Sequence, residues 1–343
     1  MKNLLQKTWL SRGWLAWSLL PLAWVYGLAV EVRRQLYRFG VFKSERFPVA
    51  VVVVGNVVAG GAGKTPLVIA LATHLLVQGH RVGVVSRGYG RLGNDTLEVG
   101  TKTPVEMSGD EPALIKRAQA APVFVARKRA DAVRALLAAY PDTSVVVCDD
   151  GMQHYALQRD IEIAAFDDRG VGNGWLLPAG LLREAWPERL HQGVDFVVHT
   201  GPVPAFSGFS SSRRLADYAV AANGNRVALA SLQDAPVSAM AAIAQPEAFF
   251  GMLRQRGIAL EKTLALPDHD DFSDFDFSSL AGQTVLCTEK DAVKLFSRPE
   301  SSSINLLAVP LEFSLEPAFI AAFDARLAQV ISQLPSRHGH QTS

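Results

Sequence analysis

The feature that most restricts what this chain can fold into is the run Val51-Val52-Val53-Val54-Gly55-Asn56-Val57-Val58-Ala59-Gly60-Gly61-Ala62-Gly63-Lys64-Thr65-Pro66. An unbroken β-branched stretch feeds a glycine-rich turn, and the turn feeds an apolar helical pattern. Backbone N–H groups of such a turn wrap an anion, with a lysine reaching the outer phosphates and a hydroxyl offered to Mg²⁺. Gly60, Gly61, Ala62, Gly63, Lys64, Thr65 and Pro66 are thus the expected cradle of a nucleoside triphosphate. Val58 departs from the usual pattern, which has a glycine at that place; Gly60, Gly61 and Gly63 still supply the torsional freedom. A plain glycine turn is the structural alternative, weakened by a later strand that ends in two aspartates.

With 343 residues and a net charge of +1, one or two domains are expected and nucleic acid is not an expected partner. Cys148 and Cys287 lie in apolar runs without metal-ligand spacing and read as reduced core residues. Charge is concentrated at the start. Residues 1–47 hold Lys2, Lys7, Arg12, Arg33, Arg34, Arg38, Lys43 and Arg46 against Glu31 and Glu45, a net of +6. Trp14 to Val30 carries no charge and contains Trp14, Trp17, Trp24 and Tyr26. As a helix it would rise about 26 Å, slightly less than a bilayer core. A cleaved signal is disfavoured for want of a small-residue cleavage site. A full span and a buried core helix are alternatives, and an interfacial anchor fits best: tryptophans at headgroup depth, arginines against anionic lipid.

After the loop, Thr65–Gly79 reads as a helix, 82–85, 123–125, 145–148 and 161–166 as strands, and 127–140 as a helix. That alternation predicts a mostly parallel, doubly wound sheet with ligands at the strands' carboxyl ends. Asp149-Asp150-Gly151 ends one strand, where a carboxylate pair that holds magnesium or water belongs. Asp110 opens a helix in Ser108-Gly109-Asp110-Glu111-Pro112 and is either an N-cap or an acceptor for the proton of an attacking hydroxyl. In the glycine-rich stretch from Gly172 onward, Arg183 could neutralise phosphate charge, and Glu184 could hold a cation or fix that arginine.

The second half predicts a smaller α/β lobe: strands at 227–232, 284–287 and 306–309, helices at 246–257 and 319–327. Its most polar concentration, Pro267-Asp268-His269-Asp270-Asp271, is either a surface acidic turn or a cleft histidine paired with a carboxylate. The expected divisions are an anchoring segment 1–47, a nucleotide-binding core 48–220, a smaller lobe 221–332 and a polar tail 333–343.

These motifs, in this order, resemble the tetraacyldisaccharide 4'-kinase (lipid A 4'-kinase) family. The matching runs are Gly60-Gly61-Ala62-Gly63-Lys64-Thr65-Pro66, Ser86-Arg87-Gly88-Tyr89-Gly90, Ser108-Gly109-Asp110-Glu111-Pro112, Asp149-Asp150-Gly151-Met152-Gln153-His154, Leu182-Arg183-Glu184, Pro267-Asp268-His269 and Thr288-Glu289-Lys290-Asp291. The resemblance implies a P-loop-like α/β fold that uses ATP and Mg²⁺. It implies transfer of the γ-phosphoryl group to the 4'-hydroxyl of an acylated glucosamine disaccharide 1-phosphate, a lipid A precursor, giving lipid IVA. It places that reaction at the cytoplasmic face of the bacterial inner membrane, on a peripheral, monotopic protein whose expected partners are the lipid substrate and the anionic membrane surface, no obligate protein partner being inferred. Carried over, Lys64 binds the β/γ-phosphates, and Thr65, Asp149, Asp150 and Glu184 surround the metal. Asp110 becomes the base with His269 supporting it, and Tyr89, Arg91 and Arg183 face the disaccharide and its phosphate. Met152 stands where a bulky aromatic is expected. Two rival readings are a membrane-associated regulatory ATPase and a kinase for a different membrane lipid or sugar.

Overall fold

The computed structural model describes residues 8–186 and 193–334. Lys2, Lys7 and the tail from residue 335 onward lie outside the described residues. A nine-stranded sheet runs in the order Leu311–Leu315, Phe209–Leu215, Phe196–His199, Ile161–Phe166, Ala50–Gly55, Val145–Asp149, Val82–Ser86, Val123–Val125, Leu97–Glu98. The seven inner strands are parallel, and the outermost strand at each edge is antiparallel. Ala50–Gly55 shows why the valines are needed. Ala50, Val52 and Val54 enter the core on one face, Val51 and Val53 that on the other, and all are buried. A strand covered on both sides has no polar face, so it reads as a continuous apolar run.

The strand order reverses direction at Ala50–Gly55: later strands are added on both sides of it. Ligand sites of open parallel sheets gather outside the carboxyl ends at such a point. Here those ends deliver the glycine loop, Ser86-Arg87, Asp149-Asp150, Asp167–Arg169 and Thr200 to one region.

A second, six-stranded sheet runs Arg226–Ala228, Tyr218–Ala221, Asn305–Val309, Thr284–Thr288, Val237–Ala241, Leu260–Ala265. The last four are mutually parallel. Their carboxyl ends carry Ile243–Gln245, Asp268-His269 and Glu289-Lys290 toward the first sheet's loops, and all these residues line one cleft. The expected strand at 227–232 is shorter, ending at Ala228 and continuing as a 3₁₀ turn at Leu229–Leu232.

The division expected at 220/221 follows chain order, and the strand pairing departs from it. Phe209–Leu215 pairs with Leu311–Leu315 in the first sheet, while Tyr218–Ala221 pairs with Asn305–Val309 in the second. The Ala216 N–H donates to the Pro310 carbonyl at 2.9 Å between them. The lobes are therefore joined by two antiparallel strands that continue from one sheet into the other. The chain then returns to the first lobe. Phe319, Phe323, Leu327 and Val330 of the helix Pro317–Gln333 belong to its core, and Asp324 accepts from His74 Nε2 at 2.8 Å. Long-range packing of an amphipathic helix, rather than its position in sequence, decides its lobe.

The apolar N-terminal segment is a 25-residue helix, Trp14–Arg38, rising about 37 Å. By length and composition it can cross a membrane. One face docks on the first lobe: Ala16 and Ala23 are buried, Trp17 packs edge-on against Trp175 at 4.8 Å, and the Tyr26 hydroxyl donates to the Arg183 carbonyl at 3.1 Å. The other face is apolar and bare, with Trp14 81%, Trp24 68% and Leu28 66% exposed.

Candidate active site

Between the two sheets lies a cleft of about 1330 Å³. The glycine loop forms one wall. Gly63, at φ 67°, sets the left-handed turn from which the helix Lys64–Val77 starts. Val58 is accommodated because its φ is not positive, so no glycine is required there. It bridges to Leu182, the Ala59 N–H donates to Leu181 at 2.7 Å, and the Arg183 N–H donates to Val57 at 2.6 Å. The loop and the Arg183-Glu184 segment are thus held as one piece.

Lys64 is buried and directs its Nζ to Asp150 Oδ1 at 3.5 Å; Arg183 Nη1 lies 3.7 Å from the same oxygen. Burial alone would push the Asp150 carboxyl up, but Lys64, Arg183 and Arg129 outweigh it and hold it below the usual range. Asp149 is fully buried, accepts a hydrogen bond from the Ser86 hydroxyl at 3.3 Å, and among the described residues leaves Oδ1 without a hydrogen-bond partner. Burial, then the charges of Glu111 and Asp150, push it up to about 7. The two adjacent aspartates thus hold different protonation tendencies.

Across the cleft, Asp110 and His269 meet each other. The N-cap of the helix Asp110–Ala118 is Gly109, and the Asp110 carboxylate turns instead to the second lobe. His269 Nδ1 lies 3.1 Å from Asp110 Oδ2, and Lys294 Nζ lies 2.6 Å from the same oxygen. Burial would raise the Asp110 carboxyl, but His269, Lys294 and Lys290 together hold it low. His269 sits at φ 66°, and its turn is tied by Lys294 Nζ, which donates to the His269 carbonyl at 3.2 Å and the Asp270 carbonyl at 2.9 Å. Lys290 Nζ stands 3.4 Å from His269 Nε2. The Tyr89 ring lies 5.7 Å from the imidazole. A carboxylate–imidazole pair beside a phosphate cradle can take a proton from a hydroxyl held between them.

Four expected members are absent from the cleft lining: Asp110, which is bonded to the lining His269, Asp149, which precedes the lining Asp150, and Arg91 and Glu184. Arg91 does not line the cleft; its guanidinium donates to the Asp95 carbonyl, and Arg87 lines the cleft instead. Glu184 is buried with Oε2 accepting from the Tyr155 hydroxyl at 2.6 Å, and it too is absent from the lining. Among the described residues no three His, Cys, Asp or Glu side chains gather as a metal cage. Met152 fills its place as core, packed against Gly55 so closely that a Cβ there would lie 2.5 Å from Met152 Cγ.

Residues 15–328 match the family model of tetraacyldisaccharide-1-P 4'-kinase (LpxK). The chain belongs to this family. It is 68% identical over 343 residues to the tetraacyldisaccharide 4'-kinase of Polaromonas naphthalenivorans, covering 100% of both chains. To that of Methylibium petroleiphilum it is 45% identical over 350 aligned positions, covering 99% of this chain and 96% of the relative. Its fold is similar to a crystal structure of LpxK from Aquifex aeolicus, described as an "apo" form in complex with ATP at 2.2 Å resolution. That match has a TM-score of 0.77 at 31% identity and covers 92% of this chain and 99% of that one. As a member of the family the chain is an ATP-dependent kinase, associated with the membrane.

For a kinase of this family the cleft holds more positive charge than the sequence motifs indicated. Arg87, Arg127, Lys128 and Arg129 line it, and so does Arg33 of the N-terminal helix. The signal was there for the first four, since each follows the carboxyl end of a parallel strand; nothing local could have brought in Arg33. His154 accepts from the Arg129 N–H at 3.1 Å. Burial and the charges of Arg129, Arg159, Arg33 and Arg87 push it down to about 4, so it serves as a neutral acceptor.

Proposed function

We propose that this cleft transfers the γ-phosphoryl group of ATP to the 4'-hydroxyl of an acylated glucosamine disaccharide 1-phosphate, at the cytoplasmic face of the inner membrane. The loop Gly60–Pro66 binds the triphosphate, with Lys64 on the β/γ-phosphates. Thr65, Asp149 and Asp150 are the residues that would hold Mg²⁺. The orphaned, buried Oδ1 of Asp149 fits that role, and Mg²⁺ takes most of its remaining ligands from phosphate and water. When bound it would neutralise charge on the triphosphate; Glu184 Oε2 is engaged by the Tyr155 hydroxyl.

The acceptor oxygen forms its bond to the γ-phosphorus as the bond to the β-bridging oxygen breaks. Its proton passes to Asp110, which His269 orients and Lys294 keeps ionised until the proton arrives. Arg183 and Arg87, on the cleft wall, and Tyr89, beside His269, are the groups for the disaccharide and its phosphate. The N-terminal helix favours a monotopic seat over a span: one face is committed to the protein while tryptophans and aliphatic residues crowd the other.

The observation that carries this reading is the 3.1 Å contact between Asp110 and His269, whose imidazole lines the same cleft as Lys64. The test supplies γ-labelled ATP and vesicles containing the tetraacylated disaccharide 1-phosphate. Label on the lipid, lost in Asp110→Ala and Lys64→Ala, is the expected result. ATP turnover indifferent to the lipid would replace this reading by that of a regulatory ATPase; label on another lipid or sugar alone would replace the acceptor.

A further inference from the structure

The strand Ile161–Phe166 ends in Asp167-Asp168-Arg169-Gly170, to which the transfer step above assigns nothing. Arg169 lies against the phosphate loop. Its Nη1 donates to the Ala59 carbonyl at 3.2 Å and its Nη2 to the Gly61 carbonyl at 2.9 Å. Its Nε is held by both oxygens of buried Asp167, at 3.1 and 2.8 Å. Thr200, from the neighbouring strand's end, donates its hydroxyl to the Ala62 carbonyl at 3.0 Å.

Three carbonyls of one tight loop are therefore engaged by donors. In a trans peptide the C=O and the following N–H point in opposite directions. Holding the carbonyls of Ala59, Gly61 and Ala62 on one side turns the N–H groups of Gly60, Ala62 and Gly63 to the other, where an anion needs them. The fork of a guanidinium spans two carbonyls and a carboxylate at once; an ammonium does not.

The second lobe touches the same carboxylate. Gln245 precedes the helix Pro246–Gln255 as its N-cap, yet its side chain makes no cap hydrogen bond. Instead its Nε2 donates to Asp167 Oδ2 at 3.1 Å. Ala244 is so near that a Cβ built on Gly61 would lie 3.0 Å from its own Cβ.

We propose that Arg169, Asp167 and Gln245 form an interlobe latch: Arg169 on Asp167 presets the phosphate loop for a nucleoside triphosphate, and Gln245 completes the arrangement when the lobes meet. All three are positioning residues, acting through the loop's backbone. The proposal rests on the transfer reading for its closure step but not for its nucleotide step.

The test uses the full chain, with ATP binding measured by calorimetry in the absence of lipid and steady-state kinetics measured with both substrates. Arg169→Ala should weaken ATP binding about tenfold or more, the scale of losing charge-assisted hydrogen bonds, with the lipid KM unchanged. Arg169→Lys should recover only part of it. Gln245→Ala should lower kcat while leaving ATP affinity nearly intact, and Gln245→Glu, which sets a carboxylate against Asp167, should be worse than Gln245→Ala. Wild-type ATP affinity in Arg169→Ala, equal losses for both substrates, or full kcat in Gln245→Glu would each overturn the latch. Should Arg169→Ala fail to fold, Arg169→Lys with wild-type ATP affinity does the same. A protein that binds ATP, depends on Arg169 for it, and phosphorylates no disaccharide would sink the proposed reaction and leave the nucleotide half of the latch standing.

Discussion

Asp110 Oδ2 and His269 Nδ1 meet at 3.1 Å although 159 positions separate them in the chain. One opens a helix of the first lobe, and the other sits on a positive-φ turn at the end of a strand of the second. A pair assembled from two lobes exists only when they are together, so proton acceptance is tied to closure. Asp110→Ala and His269→Ala should each lower kcat by about 10²- to 10⁴-fold, with ATP affinity little changed. The double variant should lose scarcely more than Asp110→Ala alone, because the two act as a unit. Additive losses in single-turnover rates would separate their roles.

The same contact predicts a pH dependence of stability. Asp110 is held below its usual range, so its ionised form stabilises the folded state above about pH 4, and that contribution is lost as the pH falls through the lower folded value. Asp110→Asn leaves Lys294 without its carboxylate and should cost about 1–3 kcal/mol at pH 7. The gap from wild type should shrink on acidification below pH 4. Urea titrations at several pH values measure it, and a gap independent of pH would contradict the assignment.

Asp149 behaves in the opposite sense. Its carboxyl is pushed up to about 7, so between about pH 4 and 7 the folded chain keeps a proton that the unfolded chain releases. The nucleotide-free protein should therefore lose stability as the pH rises through that window, and Asp149→Asn should flatten the slope. Binding of Mg²⁺ with ATP near pH 7 should release a fraction of a proton, as a carboxylate ligand requires. Calorimetry in buffers of different ionisation enthalpy should find that release in the wild type and not in Asp149→Asn.

Gly61 and Ala244 give a steric test of lobe contact. Gly61 has no left-handed φ, and among the described residues an alanine there meets only the Ala244 Cβ, at 3.0 Å. Gly61→Ala should lower kcat several-fold, on the order of 1 kcal/mol, and Ala244→Gly added to it should restore the rate. Failure of the second substitution to rescue would show that the loop itself, rather than the contact, is disturbed.

The bare face of the N-terminal helix predicts vesicle binding. Trp24 and Leu28 are exposed and do not line the cleft. Replacing both by serine should weaken binding to anionic vesicles about tenfold or more, with turnover of detergent-dispersed substrate retained. Removal of residues 1–30 should release the protein too, but it also strips Tyr26 from the Arg183 carbonyl and should therefore lower turnover in detergent.

Local chemistry was enough to read the glycine loop between strand and helix, the parallel sheet, the aspartate pair at a strand end and the apolar helix. Each follows from neighbours in sequence: valines that need two covered faces, glycines that need φ above zero, and carboxylates that end a strand. Resemblance, rather than spacing, singled out Asp110 and His269, since an aspartate at a helix start and a histidine among aspartates each have an ordinary structural use. Arg91 and Glu184 were placed by motif, but side-chain direction took them to the Asp95 carbonyl and the Tyr155 hydroxyl. The return of Leu311–Gln333 to the first lobe, the entry of Arg33 into the cleft and the reach of Gln245 to Asp167 were decided only by tertiary structure. A chain announces a helix or a turn through interactions a few residues apart, whereas the partner of a long polar side chain depends on which distant surfaces hydrophobic burial has already brought together.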